Sequence, residues 1–283
     1  MSRNRWDDLI LNVVGSPDKL MLSGWFAEAG SAIDQIRFRD GSVWDAAKLT
    51  ERSAMATRHD DYLVGTAGPD RLEGLAGDDT YVVNHAGDVI VEKRGEGVDK
   101  VMSTVSFTLT PELEHLELTG NGNIDGRGNA GANRLLGNWG RNVLDGGAGD
   151  DYLAGGGGGD TYLFGPGSGT DIIDINDGDG TDDDSIRMGA GVIEQQIWLR
   201  RVDEDLELSL FASGDKLSFK EWFADDSKRW DRMELSNGRW LGAPEVDALV
   251  SAMAAFAPPL VGQAALTSSY QTALGAVIAA SWH

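Results

Sequence analysis

The chain of 283 residues carries 24 Lys and Arg against 46 Asp and Glu, a formal net charge of −22. That balance works against nucleic acid and anionic membrane surfaces as partners and favours cations. With no cysteine, disulfides and thiolate metal sites are excluded, and no apolar run reaches the ~18 residues of a membrane-spanning helix.

The first residues, Met1 to Trp6, lack the apolar core of a signal peptide, so any export is expected to use another signal. Residues 1–50 read as a small β module. Leu9, Leu11 and Val13 alternate, Gly15-Ser16-Pro17-Asp18 turns, and Leu20 and Leu22 alternate again. Trp25, Phe26, Ile33, Ile36 and Phe38 lead to a turn at Asp40-Gly41. The segment recurs 197 residues later, where 12 of the 34 positions from 8 to 41 are identical. Trp25-Phe26-Ala27 then aligns with Trp222-Phe223-Ala224, and Asp34 with Asp231. The second copy has a lead-in from Gly191 to Leu199 that the first lacks, so the chain is expected to be the carboxyl-terminal piece of a longer protein.

Residues 51–101 hold a repeat of nine. Asp61, Asp70, Asp79 and Asp88 each precede by two residues an apolar side chain: Leu63, Leu72, Tyr81 and Ile90. The spacing then stretches to Asp99 and Val101. Residues 102–127 keep strand alternation (Val101, Ser103, Val105, Phe107, Leu109) without the repeat, and are read as wider bridging coils. Across their end Gly126-Arg127-Gly128-Asn129-Ala130-Gly131 matches a dinucleotide fingerprint, but no helix pattern follows and the glycines fall in repeat register. In residues 128–190 the repeat resumes. Asn133, Asn142, Asp151 and Asp160 precede Leu135, Leu144, Leu153 and Tyr162, and a longer spacing adds Asp171 with Ile173 and Asp184 with Ile186. From Asp145 to Ile186 there are eleven Asp and no Lys or Arg. The run Asn176 to Asp184 is no EF-hand, because no Glu closes the loop at its twelfth place. Residues 191–243 are the second β module. In 244–283 Pro244-Glu245 opens a helix from Val246 to Phe256, Pro258-Pro259 ends it, and an Ala-rich helix runs from Tyr270 to Trp282.

A fixed period of this kind signals a solenoid. Each unit supplies a glycine turn, where positive φ is needed, and a three-residue strand with one inward apolar side chain. Two rows close a coil, so turns on one edge recur every eighteen residues. Coils stack about 4.8 Å apart. That is twice a calcium–oxygen distance of about 2.4 Å, so an ion fits between stacked sixth-place carboxylates. The competing reading is a solvated acidic turn. The fold expected is all-β: a parallel β-roll or β-helix solenoid with calcium-binding turns, small flanking β modules and a short helical tail.

The unit Gly-Gly-x-Gly-x-Asp-x-U-x, clearest from Gly146 to Leu163, resembles the hemolysin-type calcium-binding (RTX) repeat. The paired segments with Asp-Lys-Leu and Trp-Phe are similar to the haemolysin-type calcium-binding related module. The stretch from Val246 to Trp282 resembles the carboxyl ends of RTX proteins exported by type I secretion. The resemblance implies Ca²⁺ held by turn carbonyls and the sixth-place side chains, with Asp61 opposite Asp79, Asp70 opposite Asp88, Asn133 opposite Asp151 and Asn142 opposite Asp160. Asp171 and Asp184 complete the candidate set. Gly74-Leu75-Ala76-Gly77 departs from the pattern by losing its second glycine, and the two Asn are weaker, neutral donors. The implied protein is secreted and extracellular, has calcium ions and the type I secretion apparatus as partners, and folds on Ca²⁺. Its cell-surface or host target is left open. No H-E-x-x-H or G-x-S-x-G occurs, and His59, His85, His115 and His283 are scattered, so no enzyme is expected. The alternative is an RTX-containing carbohydrate-active enzyme or carbohydrate-binding module, with Trp25, Trp222, Trp230 and Trp240 as sugar-stacking candidates. For these tryptophans the module core is the competing place.

Overall fold

A computed structural model describes residues 2–3, 8–12, 19–23, 25, 35–39, 41–45, 56–175 and 182–283. The expected turn at Gly15 to Asp18, Val13, Phe26, Ile33, Asp34 and most of the run from Asn176 lie outside the described residues. The chain forms two compact units, Met1–Met102 and Ser103–His283.

The first unit opens with β1 (Ser2–Arg3), β2 (Leu9–Asn12) and β3 (Lys19–Leu22) in one antiparallel sheet, and a hairpin of β4 (Gln35–Arg37) and β5 (Val43–Asp45). The repeat rows follow as β6 (Tyr62–Val64), β7 (Arg71–Glu73), β8 (Thr80–Val83), β9 (Val89–Val91) and β10 (Lys100–Ser103). Rows alternate between two parallel sheets. Leu63 of β6 pairs with Tyr81 of β8, and Leu72 of β7 with Ile90 of β9, each eighteen residues on. This is the register that a period of nine requires. Leu63, Tyr81, Ile90 and Val101 are buried, while their sequence neighbours are half-exposed or exposed; Leu72 is only half-buried. A three-residue strand has room for one inward side chain, and burying each is worth about 1.5–3 kcal/mol.

The second unit has the same kind of construction. Its strands are β11 (Phe107–Thr108), β12 (His115–Leu118), β13 (Gly126–Arg127), β14 (Arg134–Leu136), β15 (Val143–Asp145), β16 (Tyr152–Ala154), β17 (Thr161–Phe164), β18 (Thr170–Ile173) and β19 (Ser185–Met188). One parallel sheet runs β12-β14-β16-β18 and the other β11-β13-β15-β17-β19. The bridging segment is therefore a coil of the roll itself, with β12 pairing β14 and β13 pairing β15.

The module after Gly191 supplies β20 (Ile197–Val202), β21 (Asp205–Leu210), β22 (Asp215–Phe219), β23 (Arg232–Glu234) and β24 (Trp240–Gly242). It does not sit beside the roll but finishes it. β22 adds to β18 and β23 to β19 in parallel, as the next coil would. Then β21 and β20, and β24, turn antiparallel. The module core is Phe219, Trp222 and Trp230, with ring centroids 4.8–6.0 Å apart. Trp222 and Trp230 are fully buried, so neither offers a face to a sugar. Trp240 is part-exposed and lies against the His283 ring at 4.4 Å.

Two helices close the chain, α1 (Ala243–Met253) and α2 (Ser268–Ser281). α1 begins ahead of the expected Val246 because Pro244, with no N–H to place, fits inside the first turn. It buries Val246, Leu249, Val250 and Met253 and packs on β20, β24 and α2. Trp282 bridges to Leu241, and the His283 N–H donates to the Trp240 carbonyl at 2.9 Å. No helix among the described residues is long and apolar enough to cross a membrane.

Candidate metal centre

The sixth-place side chains stand in columns on the two edges of the roll. In each column one side-chain oxygen accepts the backbone N–H of the sixth-place residue one coil earlier. In the first unit Asp79 accepts from Asp61 at 2.6 Å, Asp99 from Asp79 at 2.8 Å, and on the other edge Asp88 from Asp70 at 3.0 Å. In the second unit Asp151 accepts from Asn133 at 2.7 Å and Asp171 from Asp151 at 3.0 Å. On its other edge Asp160 accepts from Asn142 at 2.8 Å and Asp184 from Asp160 at 2.7 Å. The four pairs expected from the strict period are thus neighbours, and Asp171 and Asp184 join the same columns. The longer spacings before Asp171 and Asp184 leave the strands in register, with Tyr152 paired to Ile172 and Tyr162 to Ile186. Asp70 is half-buried; the other nine are buried.

The second carboxylate oxygens are where the hydrogen-bond account fails to close. Asp79 Oδ2 and Asp151 Oδ2 are buried and accept no hydrogen bond, although buried acceptors are nearly always satisfied. Glycine at the first place of each turn makes room for them. A Cβ on Gly74 would stand 2.0 Å from Asp79 Oδ2, and one on Gly146 2.4 Å from Asp151 Oδ2. A Cβ on Gly155 would stand 1.9 Å from Asp160 Oδ2. The space is kept for an oxygen and what it binds. At the second and fourth places the need is conformational: Gly147, Gly149, Gly156 and Gly158 have φ between 87 and 122°. Leu75 occupies a second place with φ 79°, a left-handed residue in the turn that lost its glycine.

The electrostatics point the same way. Burial pushes Asp79 and Asp151 up to about 6 and Asp171 up to about 7. Neighbouring carboxylates add to this, and only backbone N–H donors oppose it. Carboxylates this destabilised either bind protons or sit beside a cation. Two buried carboxylates and turn carbonyls per gap form an all-oxygen donor set, which suits a hard divalent ion. The residues fit calcium.

Asn133 and Asn142 differ from the Asp rows in a specific way. Their Oδ1 atoms accept the N–H of Asn129 and Asn138, at 2.7 and 2.8 Å. Their Nδ2 atoms donate downward, to Leu113 O at 3.0 Å and Ile124 O at 2.7 Å. In the bridging coil below, an amide N–H meets the carbonyls that a cation would otherwise neutralise. On the upper side, both face the carboxylates of the next coil.

Besides Asp99, three acidic residues outside the expected set join the edges. Asp231 accepts the N–H of Asp184 at 2.9 Å, one further step of that column, although it comes 47 residues later in sequence. Asp215 accepts the N–H groups of Gly167 and Gly169 at 3.0 and 2.8 Å. Glu92 stands at the first place of its turn, where glycine is usual, with Asp79 and Asp99 beside it. Its position in the period was visible; its reach to Asp79 depended on the turn path.

Comparison with known families decides the chemistry. Residues 55–84 and 127–162 each fall in matches to the family described as the RTX calcium-binding nonapeptide repeat (4 copies). The repeats are RTX repeats. Residues 8–48 match the haemolysin-type calcium binding protein related domain. The chain carries RTX calcium-binding repeats, arranged in a parallel β-roll, and calcium is the ion such repeats take. Such repeats are typical of secreted bacterial proteins. No curated protein matches the sequence. Among solved structures, the extracellular lipase LipA from Serratia marcescens is similar at 17% identity, over 58% of this chain and 36% of that one, with a TM-score of 0.24. This chain therefore spans about a third of that protein's length.

Proposed function

We propose that this RTX region is a calcium-operated folding device of a secreted protein, exported through residues 244–283 and not itself a catalyst. The observation that carries the reading is the set of buried carboxylates whose second oxygens have no protein partner. Where Ca²⁺ is scarce, as inside a cell, stacked buried carboxylates oppose folding and the acidic, glycine-rich rows stay open, a form suited to threading through an export channel. At millimolar Ca²⁺ outside, the sites fill, and binding free energy becomes folding free energy. Residues 244–283, with α1 and α2, are the segment assigned to the type I secretion apparatus.

The test is far-ultraviolet circular dichroism of the purified chain in chelator and in millimolar Ca²⁺. We expect a largely disordered spectrum in chelator that becomes β-rich on adding Ca²⁺. A β-rich spectrum unchanged by chelation would overturn the folding-device reading.

A further inference from the structure

We propose that Asp79, Glu92 and Asp99 form a three-carboxylate cation site, distinct in composition from the repeat sites, that fills before the rest of the first unit. The proposal rests on the calcium reading of the turns and goes beyond it, because Glu92 stands where the repeat has glycine.

The three side chains each offer a carboxylate oxygen, and these atoms lie within 4.8 Å of one another. An ion about 2.4 Å from each oxygen is compatible with separations up to that length. Asp79 is 1% exposed, its Oδ1 is held by the Asp61 N–H, and its Oδ2 has no partner. Asp99 is 1% exposed, and its Oδ1 is fixed by the Asp79 N–H at 2.8 Å. Glu92 is oriented by the Tyr81 hydroxyl, which donates to Oε1 and leaves Oε2 buried with no hydrogen bond. Tyr81 itself is the fully buried eighth-place residue of the Asp79 row, so its ring is fixed by the core. Lys93, next to Glu92 in sequence, turns away and pairs with Glu73 and Glu96, at 3.6 and 3.5 Å.

The chemistry follows from the donor count. A turn with glycine at its first place brings no side chain there, so a repeat gap has two sixth-place carboxylates. Here a third is added at the same gap. Three negative charges on oxygen donors select a hard cation of high charge, Ca²⁺ or a trivalent lanthanide, over a monovalent one. Affinity rises with ligand charge, so this gap is occupied at lower Ca²⁺ than its neighbours. Filling it joins the turn 74–79 to the turn 92–99, across β8 and β9, and would nucleate the first unit.

Calcium titration calorimetry in competition with a chelator tests this on the full chain, with Glu92→Gln, which keeps the shape and the acceptor for Tyr81, and Glu92→Gly, which restores the repeat. In the wild type we expect one ion held about tenfold or more tighter than the remainder. Both variants should lose that tight class while the weaker ions keep their affinities, which also shows that the variants fold. Tb³⁺ should compete first for the tight class. Isotherms of both variants superimposable on wild type would overturn the site while leaving the calcium reading intact. Absence of any calcium binding in the wild type would overturn both.

Discussion

Replacing Gly155 by Ala isolates the oxygen cradle from every other role of a turn glycine. Gly155 does not need a left-handed backbone, so alanine carries no φ penalty there. Its Cβ, however, would stand 1.9 Å from Asp160 Oδ2 and 2.5 Å from Asp160 Cγ, with the Tyr162 hydroxyl at 2.7 Å. Contacts under 3.0 Å force a shift, so the carboxylate oxygen must retreat by about 1.1 Å. A calcium–oxygen bond of about 2.4 Å does not survive that retreat. Losing one carboxylate ligand should cost about 1.4–2.8 kcal/mol, a ten- to hundredfold loss of affinity at that gap. Gly68→Ala is the matched control. Its Cβ would meet nothing within 4 Å, and its φ is also ordinary. The assay is the Ca²⁺ midpoint of folding followed by circular dichroism, with the midpoint of Gly155→Ala displaced upward and that of Gly68→Ala at or slightly below wild type. If the two variants have the same midpoint, the first-place glycine does not serve the metal, and the assignment of Asp160 Oδ2 as a ligand fails with it.

Acid should weaken calcium binding over a defined window. With Asp79 and Asp151 near 6 and Asp171 near 7 in the ion-free fold, protons compete with Ca²⁺ as pH falls through 7 to 5. The sign follows from the raised values. The ion-free roll binds protons more tightly than the unfolded chain, so it gains stability as pH drops from 7 towards 4, while the calcium form loses its advantage. At pH 5 each group near 6 should weaken its site about tenfold relative to pH 8, read as a rising Ca²⁺ midpoint; a flat midpoint would contradict it. Leu75→Gly should stabilise the calcium-loaded fold by about 1 kcal/mol in urea unfolding, because Leu75 pays a left-handed penalty at φ 79°.

The repeat made the architecture legible because a period carries its own register. Once Asp61 and Asp79 are known to be two rows apart, strand pairing, inward face and stacking edge all follow, and Leu63 against Tyr81 or Leu144 against Tyr162 needed no further information. The longer spacings before Asp99, Asp171 and Asp184 were harder to read. A period cannot say whether extra residues break a column, and only the strand pairing, such as Tyr162 with Ile186, shows that the register is kept. Asp231 was seen as a module residue because sequence similarity ties it to Asp34. Its place on the metal edge comes from β23 pairing with β19, a contact between segments nearly fifty residues apart. Glu92 was passed over for the opposite reason. It is in register, but a charged residue at a glycine place reads as a degenerate repeat until Tyr81 and Asp79 are seen around it.

The way the second module joins the roll also bears on the fate of the roll's sheet edges. A parallel roll ending at β18 and β19 would present two bare rows of N–H and C=O groups, a template for another chain to add on. The pairing of β22 and β23 with these strands, followed by antiparallel β21, β20 and β24, changes the direction in which any newcomer would have to run. α1 packs against both β20 and β24, and the exposed Arg200 and Arg201 put charge on β20 itself. The module thus acts as a terminator of growth: it lets a fold that could propagate without limit stop after a fixed number of coils, and works against growth of the solenoid into a fibre.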